Sequence, residues 1–281
     1  MDMEKSPNVA VITNVSPNHL DIHKSYQEYI QSKSNIFKYQ TENDLLVLNY
    51  DNQITKDFGK EANSNVIYFS SKEKLENGII YDNNIIKDCE NGLRRHIINT
   101  KDIKLRGIHN YENICAAIAA TKDIVSIETQ VKAIKNFKGV EHRIEFVKET
   151  NGVKWYNDSI ASSPTRTIAG LNSFTEPIVL IAGGYDKHLD YTPLAKPIND
   201  KVTNLILLGQ TADKIYNAVQ KETNNELSIF KVETLEQAIN KAKEVSKRGD
   251  VVLFSPASAS FDMFKNFEER GKKFKQLVNK I

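Results

Sequence analysis

Two cysteines in 281 residues, Cys89 and Cys115, are too few for a disulfide framework and sit at no metal-ligand spacing. They read as free thiols in a reducing compartment. No apolar run exceeds the length of a strand, so no segment has the reach to span a bilayer as a helix. The first seven residues are polar and acidic and hold no apolar signal-peptide core. A cytoplasmic protein is the expectation, with no membrane partner. The 38 basic and 36 acidic residues leave a net charge of +2, which gives no reason to expect nucleic acid as a partner. Repeats and low-complexity tracts are absent. Absent too is any G-x-x-x-x-G-K-[ST] string, the loop that cradles nucleotide phosphates with backbone N–H groups and a lysine.

What remains is the composition of a soluble α/β protein: 40% hydrophobic and 26% charged, with 11 tyrosines and 12 phenylalanines to build cores. At about 150 residues per domain, the length predicts two domains. The first half opens on an apolar run at 9–15, read as a buried strand that no preceding residue can pair or cover. Helical periodicity follows at 26–37, then strand-like runs at 45–48 and 66–69. Residues 78–87 read as a hairpin turning on Asp82-Asn83-Asn84, 103–105 as a short strand, and 109–120 as a helix begun near Asn110. The second half alternates more cleanly. Strands are expected at 153–156, 178–182, 205–208 and 251–254, and helices at 162–171, 211–219, 235–245 and from about Phe261 onward. Strict alternation predicts a parallel, doubly wound sheet. The hinge is placed at Lys138-Gly139, giving domains 1–139 and 140–281.

Several clusters carry chemistry-bearing residues. Small hydroxyl residues follow the strand at 251–254 (Ser255 to Ser260), at the strand end where α/β sheets place ligands. His19 and Asp21, after the first strand, are both metal-ligand types, though from these residues alone a plain turn with a surface histidine is the better reading. Asn110 and Asn113 lie three apart on one helix face and offer the donor-acceptor pairs an adenine edge needs; Asn110 can instead cap the helix. Arg143, beside the hinge, can reach a phosphate or merely form an interface salt bridge. Asn157-Asp158-Ser159 can orient a ligand or make an Asx turn with a helix cap. Gly183-Gly184 is a turn of little specificity. The Phe261, Phe264 and Phe267 stripe at helical spacing is as easily core as ligand surface.

Taken in order, these motifs resemble the Mur ligases. The matching strings are N-x-x-x-x-H-x-D at 14–21, G-x-H-N-x-x-N at 107–113, F-x-G…H-R at 137–143, N-D-S at 157–159, G-G-x-x-K at 183–187 and S-F-D-x-F-K-N-F-E-x-R-G at 260–271. The last string is most similar to that of the D-glutamate-adding members. The resemblance implies an incomplete Mur ligase central ATPase-type domain followed by a Rossmann-like doubly wound C-terminal domain. It also implies an ATP-dependent acid–amino-acid ligase of peptidoglycan-precursor synthesis, joining D-glutamate to UDP-N-acetylmuramoyl-L-alanine. On that basis His19 and a carbamylated Lys33 would hold Mg2+, since a carbamate replaces an ammonium by an anion the metal can bind. Asn110, Asn113 and Asp158 would contact ATP, and Arg143 its transferring phosphate. Ser162, Lys187, Ser260, Phe261 and Phe267 would hold D-glutamate.

Two departures qualify the resemblance. Many D-glutamate-adding relatives continue N-D-S with a lysine, where this chain has Ile160, so the positive charge at that slot is missing. The family's phosphate loop and an N-terminal domain that binds the UDP-sugar would precede the present Met1. A missing N-terminal fragment is therefore one expected partner. The alternatives are a non-catalytic fragment that only binds such a partner, and a related ligase such as folylpolyglutamate synthetase. An unpaired edge at the first strand is the structural expectation.

Overall fold

A computed structural model describes residues 4–15, 25–221 and 227–281. The chain divides into two compact units, 1–137 and 138–281. The first is a six-stranded sheet in sequence order: β1 (Val9–Ile12), β2 (Leu45–Asn49), β3 (Asn65–Ser70), β4 (Gly78–Asp82), β5 (Ile85–Glu90) and β6 (Leu93–Asn99). Strands β1 to β4 run parallel, and β4, β5 and β6 form antiparallel hairpins. Helices α1 (Tyr26–Ser34), α2 (Gln53–Glu61), α3 (Ile108–Thr121) and α4 (Ile127–Asn136) belong to the same unit. Successive strand residues face opposite ways, so each parallel strand is buried on two sides. Val47, Phe69, Ile79 and Ile86 pack under Ile114, Cys115 and Ile118 of α3. Leu46, Leu48, Ala10 and Ile12 pack against Tyr29, Phe37 and Phe58 on the other face. Among the described residues, β1 pairs only with β2, at one edge of the sheet.

Two-residue hairpin turns account for much of what patterning alone overlooks. Asn83 and Asn84 have φ of 49° and 63°, the left-handed pair a type I′ turn requires. The same geometry recurs at Asn91-Gly92, which launches β6, and at Asn151-Gly152, which joins β7 (Glu145–Thr150) to β8 (Val153–Asn157). Neither β6 nor β7 alternates cleanly in hydrophobicity, yet each adjoins an Asn-Gly pair, the sharpest short hairpin signal available. The strand expected at 103–105 is not one: a single 3-10 turn at Thr100–Asp102 ends β6, and Ile103 is simply buried. The first strand also ends earlier than expected, at Ile12.

The second unit orders its strands β11-β10-β9-β12-β8-β7. After β8 come α5 (Pro164–Leu171), β9 (Ile178–Ala182), α6 (Ala195–Lys201), β10 (Val202–Leu207), α7 (Ala212–Gln220), β11 (Ser228–Lys231), α8 (Leu235–Val245), β12 (Val251–Phe254) and α9 (Phe267–Val278). All pairs are parallel except β7 with β8. The chain runs outward through β9, β10 and β11, then returns to insert β12 between β9 and β8. Right-handed crossovers therefore place α5, α6 and α7 on one face and α8 on the other, where the C-terminal α9 joins it. The two cores bear this out. Leu171, Ile198 and Ile215 pack on Leu180, Leu205 and Leu253, while Ile239, Phe274 and Leu277 pack on Trp155, Ile206 and Phe254. The C-terminal helix begins at Phe267, not near Phe261: Asn266 caps it by accepting the Glu269 N–H at 2.8 Å. No helix among the described residues is long and apolar enough to cross a membrane.

Candidate functional site

In the first unit, polar residues gather at the carboxyl ends of β1, β2 and β3. Asn49 donates to the Thr13 carbonyl at 2.9 Å, and Asn52 to the Asn14 side chain at 2.7 Å, tying the β1 and β2 ends together. The Asp51 carboxylate accepts from the Ser70 hydroxyl at 2.5 Å and the Ser71 N–H at 2.7 Å. Ser71 in turn donates to Glu112 of α3 at 2.6 Å, which brings the first turn of α3 to the same sheet end. Asn110 lies in that turn but does not cap it: Gly107, at φ 92°, is the N-cap, and the Asn110 amide donates to the Arg106 carbonyl at 2.6 Å. Asn113, one turn on, is exposed. Lys33 is exposed near the end of α1, its ammonium 5.2 Å from the centre of the Tyr29 ring. His19 lies outside the described residues.

In the second unit, the turn after β8 is almost sealed from water. Asn157 and Ser159 are fully buried and Asp158 is 3% exposed. Asp158 Oδ2 accepts from Ser255 at 2.7 Å and Oδ1 from the Ile144 N–H at 3.2 Å, while Ser255 also reaches Thr167 at 2.9 Å. Burial pushes the Asp158 carboxyl up to about 7, against the Ser255 and Ile144 hydrogen bonds and the charges of Arg143 and Arg166. Arg143 itself is exposed. It is flanked by His142 (φ 67°) and Ile144 (φ 45°). A β-branched residue in the left-handed region is strained, by roughly 1–3 kcal/mol, and such strain concentrates where a segment must be held in place. Here Asp158 holds Ile144, and the Ile160 N–H donates to the His142 carbonyl at 3.2 Å.

Glu141, His142 and Glu145 bring three metal-ligand types within 4.8 Å of one another. The hydrogen bonds argue against a cation there. The Asn157 amide donates to Glu145 Oε2 at 3.0 Å and therefore also to His142 Nδ1 at 2.9 Å, its carbonyl taking the Ser159 N–H. Nδ1 accepts, so the ring proton resides on the buried Nε2, which has no hydrogen-bond partner and faces Glu141 at 3.6 Å. That distance is too long for a hydrogen bond. Burial holds the imidazole below its usual range, which keeps it neutral. The Lys275 ammonium already joins Glu141 and Glu145 at 2.6 and 2.8 Å. A protonated Nε2 has no lone pair for a metal.

The loops after β9, β10 and β12 meet beside this turn. Gly183 and Gly184 (φ 114° and 152°) permit the approach: a Cβ on Gly183 would lie 1.9 Å from the Leu208 carbonyl, and one on Gly184 2.3 Å from the Ala259 carbonyl. The Tyr185 N–H donates to Ala259 at 2.9 Å. A buried hydroxyl chain, Tyr191 to Ser258 to Thr211, runs at 2.9 and 2.8 Å and ends on the Gly184 N–H at 3.1 Å. Lys187 and Phe261 are exposed and adjacent, the ammonium 5.4 Å from the ring centre, with Tyr185 edge-on to the same ring at 5.8 Å. Ser260 is buried next to Phe261, and Ser162 is half-buried in the loop after the Asn157–Ser159 turn. Phe267 packs edge-on against His142 at 6.1 Å, and Phe264 joins the α8–α9 core. The aromatic stripe thus splits, because 261–266 form turns where a helix was expected. Sequence reading passed over Arg270, 3% exposed at the heart of these loops.

Solved structures share this architecture. The chain superposes on UDP-N-acetylmuramate-alanine ligase MurC from Thermotoga maritima with a TM-score of 0.70 at 19% identity, covering 99% of this chain and 61% of that one. MurF from Acinetobacter baumannii gives 0.72 at 16% identity, over 96% and 60%. At such identities the likeness defines the class of fold alone: an α/β domain with a mixed sheet followed by a doubly wound one. Residues 2–121 match the Mur ligase middle domain and 142–258 the Mur ligase glutamate ligase domain, and the chain belongs to the Mur ligase family. Among curated relatives, the UDP-N-acetylmuramoylalanine--D-glutamate ligases of Acetivibrio thermocellus and Clostridium tetani are 53% and 51% identical over 284 aligned residues. Those alignments cover 99% and 100% of this chain but 61% of each relative, so the chain spans about three-fifths of their length.

Proposed function

We propose that this chain carries the nucleotide-contacting and D-glutamate-binding parts of an ATP-dependent ligase that joins D-glutamate to UDP-N-acetylmuramoyl-L-alanine. The observation that carries this reading is the convergence of Lys187, Ser260 and Phe261 from the loops after two neighbouring parallel strands, in a chain about half identical to ligases so named. ATP would phosphorylate the alanyl carboxylate. The amine of D-glutamate would then attack the acyl carbon, forming the amide as the C–O bond to phosphate breaks. Lys187 would pair with the side-chain carboxylate of D-glutamate, with Ser260 and Ser162 toward its other end and Phe261 and Phe267 as walls. Asn110 and Asn113 would take the adenine edge and Arg143 the transferring phosphate. Asp158 is too enclosed to reach a nucleotide while 142–144 stay in place; in this reading it aligns Arg143 through Ile144 until that segment moves. Mg2+ would be held by His19 and a carbamate on Lys33, whose exposed amine is open to CO2, and would neutralise phosphate charge. With no phosphate-cradling loop in its sequence, the chain is proposed to supply these portions and not a self-contained catalyst. A cytoplasmic setting suits both its nucleotide substrate and its free thiols.

The test is an NMR titration of this chain with D- and L-glutamate. D-Glutamate should perturb Lys187, Ser260 and Phe261, Lys187→Ala should abolish the response, and L-glutamate should need at least about tenfold higher concentration. An equal response to L-glutamate would favour a folylpolyglutamate synthetase-like ligase; silence toward both would sink the amino-acid reading.

A further inference from the structure

Arg270, on α9, is a buried cation with no carboxylate among the described residues within ion-pair distance. Its Nε donates to Ser159 Oγ at 3.0 Å and its Nη2 to the Ser159 carbonyl at 2.8 Å. Its Nη1 divides between the carbonyls of Ser258 at 3.0 Å and Ala259 at 2.8 Å. The guanidinium carbon lies 5.9 Å from the centre of the Phe254 ring. Burial draws its pKa down to about 10, with Asp262 the opposing charge, so it stays protonated at neutral pH. Enclosing a charge among neutral acceptors is costly, and a residue serving only to fill space would be better apolar. What the charge secures is geometric. Ala259 O also takes the Tyr185 N–H, and Ser260 O takes those of Met263 and Phe264 at 3.2 and 2.8 Å. Ser159 Oγ, receiving from Arg270, donates onward to the Phe267 carbonyl at 2.8 Å. One planar fork therefore ties the turn after β8, the loop after β12 and, through Ala259, the loop after β9.

We infer that Arg270 is the positioning residue of the amino-acid pocket, setting Ser260 and Phe261 against Lys187 and the Asn157–Ser159 turn without itself touching substrate. The inference rests on the D-glutamate reading for what the pocket holds, and on hydrogen bonding alone for how the pocket is held. Lysine cannot replace the fork, since one ammonium cannot reach Ser159 on one side and two carbonyls on the other in fixed directions.

The test is amide hydrogen exchange and D-glutamate titration of the 281-residue chain and its Arg270→Lys and Ser159→Ala variants. In Arg270→Lys the amides of Tyr185, Met263 and Phe264 should exchange about tenfold faster or more, while those of Leu205–Leu207 in β10 keep their protection. D-Glutamate affinity should fall about tenfold in parallel. Ser159→Ala, which keeps the charge and removes one acceptor, should show the same loop-confined pattern to a smaller extent, and it decides the matter if Arg270→Lys does not fold. Unchanged loop amides in a folded Arg270→Lys, or in Ser159→Ala should the lysine variant not fold, would overturn the inference. So would a loosening spread evenly over loops and β10. If the unaltered chain binds no D-glutamate, the amino-acid reading fails, while the exchange pattern still decides whether Arg270 sets the loops.

Discussion

Asp158 shows how a single side chain can set the pH response of a domain. Its carboxyl is raised from an unfolded value near 3.8 to about 7 by burial. The folded protein therefore holds this proton more tightly than the unfolded chain. The stability so gained is fully present below about pH 4 and is lost as the pH rises through about 7, in all roughly 4 kcal/mol at about 1.4 kcal/mol per pH unit. Asp158→Asn keeps an acceptor for the Ile144 N–H and removes the charge. It should gain stability relative to the parent chain between pH 5 and 8, seen as diverging thermal midpoints; parallel midpoints across that range would refute the assignment. The site's motifs were legible at this scale because Asn157-Asp158-Ser159, Gly183-Gly184 and Ser258 to Phe261 stand at strand ends in the sequence itself. The division of labour among them was not. Which hydroxyl faces a ligand and which is consumed by a buried partner depends on neighbours up to 111 positions away, as with Ser159 and Arg270.

At the scale of elements, α9 approaches the His142 side chain, in the segment leading into β7, more closely than a side chain on α9 would allow. A Cβ on Gly271 would fall 2.2 Å from His142 Nδ1, the atom that accepts from Asn157. Gly271→Ala should push α9 outward, break that bond and cost about 2–4 kcal/mol in urea denaturation. Lys273→Ala, exposed on the same helix, should change stability by less than about 0.5 kcal/mol. Elements with strong internal patterning, such as α8 with its Thr234–Gln237 capping box, end where their own residues dictate. Those defined by partners do not. β6 presents four exposed residues, Leu93 to His96, and is a strand because β5 pairs with it across the Asn91-Gly92 turn.

For the molecule as a whole, each unit owns its core. Both hydrophobic clusters of the second unit draw on residues 144–281 alone, and so does the chain's single tryptophan, Trp155, 1% exposed beside Phe274. A fragment of residues 138–281 should therefore melt cooperatively and keep the blue-shifted fluorescence of a buried Trp155 seen in the whole chain. A red-shifted, non-cooperative fragment would mean that the first unit is needed to hold the second together.

The sequence by itself determined the two α/β halves, the strand ends that carry small and polar residues, and the family to which those motifs belong. Each of these is written in local patterns: hydrophobic period, turn chemistry and short spacings. The tertiary structure alone decided that β12 inserts between β9 and β8, that Asp158 and Ser159 are sealed from water, and that Arg270 spends its charge on backbone carbonyls. Those outcomes arise from burial and from the meeting of distant segments. A residue's dielectric surroundings and hydrogen-bond partners exist only once the chain has closed around it.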